Sequence, residues 1–260
     1  MKKLSATIIT LNEEDKIRPC IESLKDIADE IVVVDSLSTD ATKSICEDLG
    51  VRFIEQKWLG YSEQKNMANS LATNDWILSI DADEVVSDEL KKSILKIKEN
   101  DTPDNAVFSF NRLNNYCGKW IRHCGLYPDK KIRIWNRNIG KWEGYIHEDI
   151  KFSTNVKEER LHGDLLHYSF NTHEDFERQL FKFAEMRAQQ YFDKGKKKAG
   201  LLNIISPIYY FIQHYIIRLG FLDGKEGLTI CWVGAKATRH KYRKLKEIQN
   251  LRNSEISENK

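Results

Sequence analysis

The amino-acid sequence predicts an α/β fold: a mixed sheet flanked by helices, followed by a helical extension. Three observations carry this expectation. Over the first hundred residues, short β-branched apolar runs alternate with amphipathic stretches, the pattern of strands joined by helical crossovers. One run, IVVVD at 31–35, is apolar without alternation, as a parallel strand covered on both faces must be. Beyond residue 171 the strand signals stop, and the sequence reads as helical and basic.

Taken in order, residues 4–11 (LSATIITL) read as a first strand. Apolar positions Ile17, Ile21, Leu24 and Ile27 share one helix face over 14–27. After the strand at 31–35 comes a helix from Thr39 to Leu49, closed by Gly50, where a left-handed residue is easiest. Val51–Glu55 is a third strand, 61–72 a third helix and 76–80 (WILSI) a fourth strand. Ser87 caps a helix to about Lys98, whose acidic first turn (Asp88, Glu89) suits the helix dipole. AVFSFNR, YCGKWIRH, KKIRIWN and LLHYS, between 106 and 169, read as short strands of a mixed sheet. Residues 172–194 form a helix with Phe176, Leu180, Phe183 and Arg187 on one side. Pro207 punctuates an apolar stretch, 225–248 is a last helix, and the tail from Asn253 is polar and frayed.

With 260 residues, 41% of them hydrophobic, the chain can build a large core. Its net charge is +2, so there is no bulk signal for nucleic acid. The charge is uneven, however. From Lys194 to Lys246 twelve Lys or Arg stand against Asp223 and Glu226, so this stretch carries +10 and the remainder −8. Five scattered cysteines read as reduced thiols of a cytosolic protein. The start, Met1-Lys2-Lys3, precedes an apolar stretch too short for an export signal, and no cleavage site follows; it reads as a buried strand.

The chemistry gathers at strand ends, where doubly wound sheets bind ligands. Asp81-Ala82-Asp83 follows the fourth strand. Two carboxylates so placed can reach one hard cation, Mg2+ or Mn2+, which bridges to substrate phosphates and makes a diphosphate a better leaving group. Asp35 ends the second strand, where a carboxylate can accept the imide N–H of uracil. Ser38 or Thr39 beside it caps a helix. Thr10, Asn12 and Glu13 end the first strand, as a cap or as a wall around a nucleoside. Arg133 and Arg137 offer guanidinium groups to phosphate; alternatively Arg133 and Trp135 alternate along a strand as a solvent-facing stripe.

In order, TIITLNEE, VVVDSLSTDAT, QKNMAN and WILSIDADE resemble glycosyltransferase family 2 with the GT-A fold, in particular the branch of lipopolysaccharide core β-glucosyltransferases. RIWNR, GYIHED and GFLDG extend the likeness through most of the chain. The resemblance implies a Rossmann-like GT-A domain over 1–170, with a nucleotide-binding half at about 1–100 and an acceptor half at about 101–170. A basic helical extension over 171–252 and a disordered tail over 253–260 complete the expected organisation. It implies that Thr10, Asn12 and Glu13 line the nucleoside pocket, that Asp35 holds the base and that Lys65 lies near the donor. Asp81 would contact ribose or metal, Asp83 would ligate the metal, and a late histidine, His167, would complete its shell. The mechanism implied is inverting: a general base deprotonates the acceptor hydroxyl, which attacks the anomeric carbon in line with departing diphosphate. Glu148 is the candidate base, with Asp149 in reserve and His147 orienting the base or contacting diphosphate.

The stretch 201–222 (LLNIISPIYYFIQHYIIRLGFL) is apolar, but Asn203, Gln213, His214, Arg218 and a proline argue against a spanning helix. Framed by lysines, it suits the anionic face of a membrane, here the cytoplasmic face of an inner membrane carrying a lipid-linked acceptor; a helical lid on the core is the alternative. Tyr209, Tyr210 and Phe211 read as buried, which argues against a stacking surface for nucleic acid. Two other functions remain open at this level. A nucleotidyltransferase would need a glycine-rich basic loop after the first strand, where TLNEED is acidic. A non-catalytic sugar-nucleotide binder would not need the acidic triplet and base.

Overall fold

The computed structural model describes residues 3–144, 148–195 and 202–258, with side chains as far as Arg252. The chain divides into two compact units, Met1–Leu113 with Pro128–Tyr168, and Asn114–Tyr127 with Ser169–Lys260.

The first unit begins β1 (Leu4–Thr10), α1 (Ile17–Leu24), β2 (Glu30–Asp35), α2 (Thr42–Asp48), β3 (Arg52–Glu55), α3 (Tyr61–Leu71) and β4 (Trp76–Asp81). These four strands are parallel, in the order β3-β2-β1-β4. The chain steps outward from β1 to β3, then returns to add β4 on the other side, so the connections diverge at β1 and leave a crevice beyond its carboxyl end. Register decides what borders it: Thr10 lies opposite Asp35 and Ile9 opposite Asp81. Underneath, Ile17, Cys20, Ile21 and Leu24 of α1 pack with Leu4, Ile8, Val33 and Leu78 in a fully buried core.

Beyond β4 the sheet turns antiparallel and mixed, continuing through β8 (Asp129–Asn136), β6 (Ala106–Tyr116), β11 (Lys157–Phe170) and β5 (Glu84–Val86). Helix α4 (Asp88–Glu99) starts where Ser87 Oγ accepts the Leu90 N–H at 3.3 Å. β9 (Gly140–Glu143) and β10 (Asp149–Phe152) form a separate two-stranded ribbon. The mixed, helix-flanked sheet matches the fold class read from the sequence. The sequence reading missed β5, β9 and β10, which are three or four residues long and leave no periodic signal. It also overextended the segment 116–123. Cys117 and Gly118 both adopt positive φ there, and this turn leaves just Lys119–Trp120 as a strand (β7) paired with Asn115 and Tyr116.

In the second unit, α5 (His173–Asp193), α6 (Leu202–Phe211) and α7 (Gly224–Glu258) are joined by a π-helical turn at Ile212–Ile217 and a 3-10 turn at Gly220–Asp223. The GFLDG segment has a structural role. Asp223 is buried, accepts the backbone N–H groups of Arg122 and His123, and sits 3.0 Å from His123 Nδ1. The buried seam of α5 is Phe176, Ala184 and Ala188; Phe183 and Arg187, expected on that side, are exposed. Tyr209, expected to be buried, is 62% exposed. α7 extends past residue 253 as backbone, while the side chains of the expected tail and residues 259–260 lie outside the described residues.

Gly163 of β11 has φ +98°, and a Cβ there would collide with the backbone of Glu89 and Leu90 at the start of α4. Gly163→Ala is expected to destabilise the first unit by about 3 kcal/mol, from backbone strain and overpacking together. The shift in urea midpoint measures it.

Candidate active site

The acidic triplet sits where β4 ends and the chain turns into β5. Glu84 is fully buried and anchors that turn, its Oε2 accepting the Asp81 backbone N–H at 2.9 Å. Arg133, 3% exposed on β8, donates to Glu84 Oε1 at 2.7 Å and to Asp81 Oδ2 at 3.2 Å. Lys65 of α3, also buried, reaches Asp81 Oδ1 at 2.9 Å. The indole of Trp142, on β9, lies 4.7 Å from the Lys65 ammonium and 5.8 Å from the Arg133 guanidinium. Burial alone would raise the Asp81 pKa; Lys65 and Arg133 outweigh it and hold the carboxyl well below the usual range.

Asp83 belongs to a different pairing. β5 runs antiparallel to β11 with His167 opposite Glu84, and the Tyr168 N–H donates to the Asp83 carbonyl. This register brings His167 Nε2 to 3.1 Å from Asp83 Oδ2. Glu13 feels the same corner: burial pushes its carboxyl up, Lys16 at 3.5 Å opposes this, and the Asp83 carboxylate adds to it. Among the described residues, no three acidic, His or Cys side chains gather closely enough to hold a metal by themselves.

At the end of β2, Asp35 is 1% exposed, and its two oxygens accept the backbone N–H and the hydroxyl of Ser38. The neighbouring turn is cross-linked. The Asn12 N–H donates to Ser38 Oγ, and Asn12 Oδ1 accepts the Thr39 N–H, both at 2.8 Å. Asn12 and Leu37 both adopt positive φ here. Thr10 Oγ1, Gln64 Oε1, Arg133 Nε and Trp142 Nε1 are buried without a hydrogen-bond partner. Orphaned buried groups are rare in a packed interior, and these four all belong to the elements that frame the crevice.

The β9–β10 connection carries the other candidates. Asn66 of α3 exchanges two 2.8 Å hydrogen bonds with the Trp142 backbone, and Ser62 Oγ donates to the Gly144 carbonyl at 2.7 Å. Burial, then the Glu148 and Asp81 carboxylates, raise the pKa of the Tyr61 hydroxyl. Glu148 and Asp81 therefore act on one point. Asp149 is exposed and accepts the Ile150 N–H. His147 lies outside the described residues. Two arginine expectations need correction. Arg137 lies past the far end of β8, beside the start of β4, and donates to the carbonyls of Asn69, Ser70 and Ala72. Arg133 and Trp135 form no solvent-facing stripe, since both are buried.

Residues 5–155 match the family described as Glycosyl transferase family 2. The chain belongs to glycosyltransferase family 2. An uncharacterised glycosyltransferase of Rickettsia typhi is 33% identical over 95% of this chain and 88% of its own length. The lipopolysaccharide core biosynthesis glycosyltransferase LpsC of Rhizobium meliloti is 31% identical over 89% of this chain and 87% of its own. Among solved structures, S. aureus TarS in complex with UDP aligns with TM-score 0.44 and 16% identity, over 95% of this chain and 91% of that one.

The sequence reading of this glycosyltransferase assigned no part to Glu84, Trp142 and Tyr61. Glu84 adjoins the acidic triplet, but burial at 0% exposure is invisible in a run of three acids. Trp58 and Tyr61 pack edge to face with ring centroids 4.7 Å apart and stay about half exposed, an unusual position for two large aromatics in one turn.

Lys65→Met is expected to cost about 2 kcal/mol at pH 7, because it leaves Asp81 with one partner at a mostly buried site. Asp81's lowered pKa stabilises the fold above the unfolded carboxylate value of about 3.9, and that share is lost as pH falls below it. Urea unfolding should therefore show the wild-type advantage constant from about pH 7 to 5 and narrowing below about pH 4.

Proposed function

We propose that this glycosyltransferase moves a hexose from a UDP-sugar to a hydroxyl of a glycan or lipid-linked acceptor, with inversion at the anomeric carbon. The kinship with LpsC supports a place in lipopolysaccharide core or cell-surface polysaccharide synthesis, at the cytoplasmic side of a membrane. The observation that carries the reading is the gathering of Asp35, Asp81 and Asp83 along one sheet edge, with Lys65 and Arg133 setting the charge of Asp81.

Each side chain has a task in this reading. Asp35 keeps lone pairs to accept a uracil imide N–H, since a carboxylate offers about four acceptor sites and Ser38 fills two. Thr10 and Glu13 wall the nucleoside, while Asn12 holds the turn. Asp81, kept ionised, accepts a ribose hydroxyl. Lys65 and Arg133 serve Asp81 and do not touch phosphate themselves.

The donor set fits a divalent cation bound together with its substrate. Mg2+ takes one or two carboxylates plus substrate phosphates and water, and Mn2+ also accepts imidazole. Asp83 and His167 would hold it. Asp81 has both oxygens engaged and contributes less. When bound, the cation would neutralise charge on the departing diphosphate.

Glu148 is the proposed base. Like that of Asp81, its carboxylate helps raise the pKa of the Tyr61 hydroxyl, which supports its place near the donor site. Its carboxylate would take the proton of the acceptor hydroxyl as that oxygen attacks the anomeric carbon, and the sugar–phosphate bond breaks with its electron pair leaving on the diphosphate. Trp58 and Tyr61 offer aromatic edges to a sugar ring. Asp149, occupied by its neighbour's N–H, is the weaker choice.

Asp83→Ala is expected to abolish Mn2+-dependent binding of UDP-sugar in calorimetry. Glu148→Gln should bind donor as wild type does and lose transfer by about 10²–10⁴-fold. Undiminished transfer by Glu148→Gln would remove Glu148 as the base. Wild-type protein that binds donor but transfers to no acceptor hydroxyl would make the chain a sugar-nucleotide binder.

A further inference from the structure

The second unit carries an apolar surface that the sugar-transfer reading leaves unused. On α6 and the turn after it, Ile204, Ile208, Ile212 and Ile216 recur every four residues and are 61%, 58%, 46% and 52% exposed. Tyr209 adds a ring that is 62% exposed. Between Leu202 and Ile217 there is no Asp, Glu, Lys or Arg. Helix α7 presents a matching face. Leu228 and Trp232 are 45% and 59% exposed, and Lys236, Arg239, Arg243 and Lys246 follow at helical spacing, all exposed. A groove of about 430 Å³ lies between the two, lined by Ile208, Trp232, Lys236 and Arg239 among others.

We propose that this face of the second unit docks on an anionic phospholipid bilayer, with α6 lying in the interfacial plane and the α7 cations against lipid phosphates. Depth and charge together select this occupant. No described helix is long and apolar enough to cross a membrane. At about 1.5 Å per residue the ten residues of α6 span half of a hydrocarbon core. An amphipathic helix of that kind buries one face among headgroups and upper acyl chains. A second copy of this chain is a poorer fit, because a two-fold contact through this face would set four cations of one copy near four of the other. A bilayer carrying phosphatidylglycerol meets both the isoleucines and the cations. The inference does not depend on the identity of the donor or the base.

The test is co-sedimentation of the full chain with vesicles of phosphatidylcholine alone and of phosphatidylcholine with phosphatidylglycerol. Wild type is expected to pellet with the anionic vesicles and to be released by high salt. Arg239→Glu/Arg243→Glu should weaken partitioning about 30-fold or more, from about a fivefold loss for each cation removed and a further penalty for its reversal. Ile208→Glu should weaken it as well. Arg18→Glu/Lys25→Glu, the same charge change on exposed positions of α1 and the residue after it, should leave it unchanged. An unaltered unfolding midpoint in each variant separates lost docking from lost fold. Wild type that stays in the supernatant with both vesicles overturns the proposal, as does an Ile208→Glu variant that pellets like wild type. A dimer that Ile208→Glu disperses, with vesicle binding untouched, overturns it in favour of an interface between copies.

Discussion

The arrangement depends on one buried ion cluster, in which Glu84 and Asp81 share Arg133 while Lys65 closes the far side of Asp81. Three acids at positions 81, 83 and 84 on one tight turn would repel each other in a low-dielectric interior. The two cations cancel two of those charges and fix the direction of both carboxylates. Such a cluster is weak evidence for stability, since desolvating four charged groups costs about what their attraction returns. Its consequence is geometric. Glu84 holds the Asp81 backbone, Arg133 ties β8 to the end of β4, and Lys65 ties α3 to the same point. Asp83 is left with the His167 imidazole as its described partner. In the proposed reading this asymmetry leaves Asp83, with His167, to meet a cation and its diphosphate.

β1, β2 and β4 were legible because burial on both faces writes itself into sequence as unbroken apolar runs, and IVVVD and WILSI hold that pattern to within a residue of the observed ends. Strand ends in a parallel sheet all point one way, so Asn12, Asp35 and Asp81 could be placed at or just past a common edge before any coordinates. The second half was harder because its strands are defined by their partners. β5 is three residues long and exists because β11 covers it. Arg133 and Arg137 show the cost. They look equivalent in RIWNR, but β8 runs antiparallel to β4, so one reaches the carboxyl edge and the other lies at the opposite end. Sequence cannot assign that direction without knowing the neighbour.

In the second unit large apolar side chains stand both inside and outside the core. Its α5 seam closes through Phe176 and through Ala184 and Ala188, which let helices approach, while Phe183 stays outside. On α6 the most apolar stretch of the chain has no buried residue among those described. Hydrophobicity in sequence reports a preference for leaving water, and it does not say whether protein or lipid will supply the alternative.

The two sides of the crevice are prepared differently, and the difference bears on how binding is ordered. On the base side Asn12 and Leu37 hold positive φ, a strain of about 1–3 kcal/mol for each residue, and the hydrogen bonds among Asn12, Ser38, Thr39 and Asp35 offset it. Asp35 is therefore held in one orientation, and for the nucleoside proposed to bind there little ordering entropy would remain to be lost. On the acceptor side the support comes from α3, where Ser62 and Asn66 fix the backbone at Gly144 and Trp142. Glu148 lies four residues beyond the last of these clamps. Lys65, on the same helix, contacts both Asp81 and the face of Trp142. A donor that alters the charge around Asp81 would thus act on the helix that holds the backbone at Trp142 and Gly144. In the proposed reading, that coupling gives a physical reason for donor to bind first and for Glu148 to be set as base in its presence.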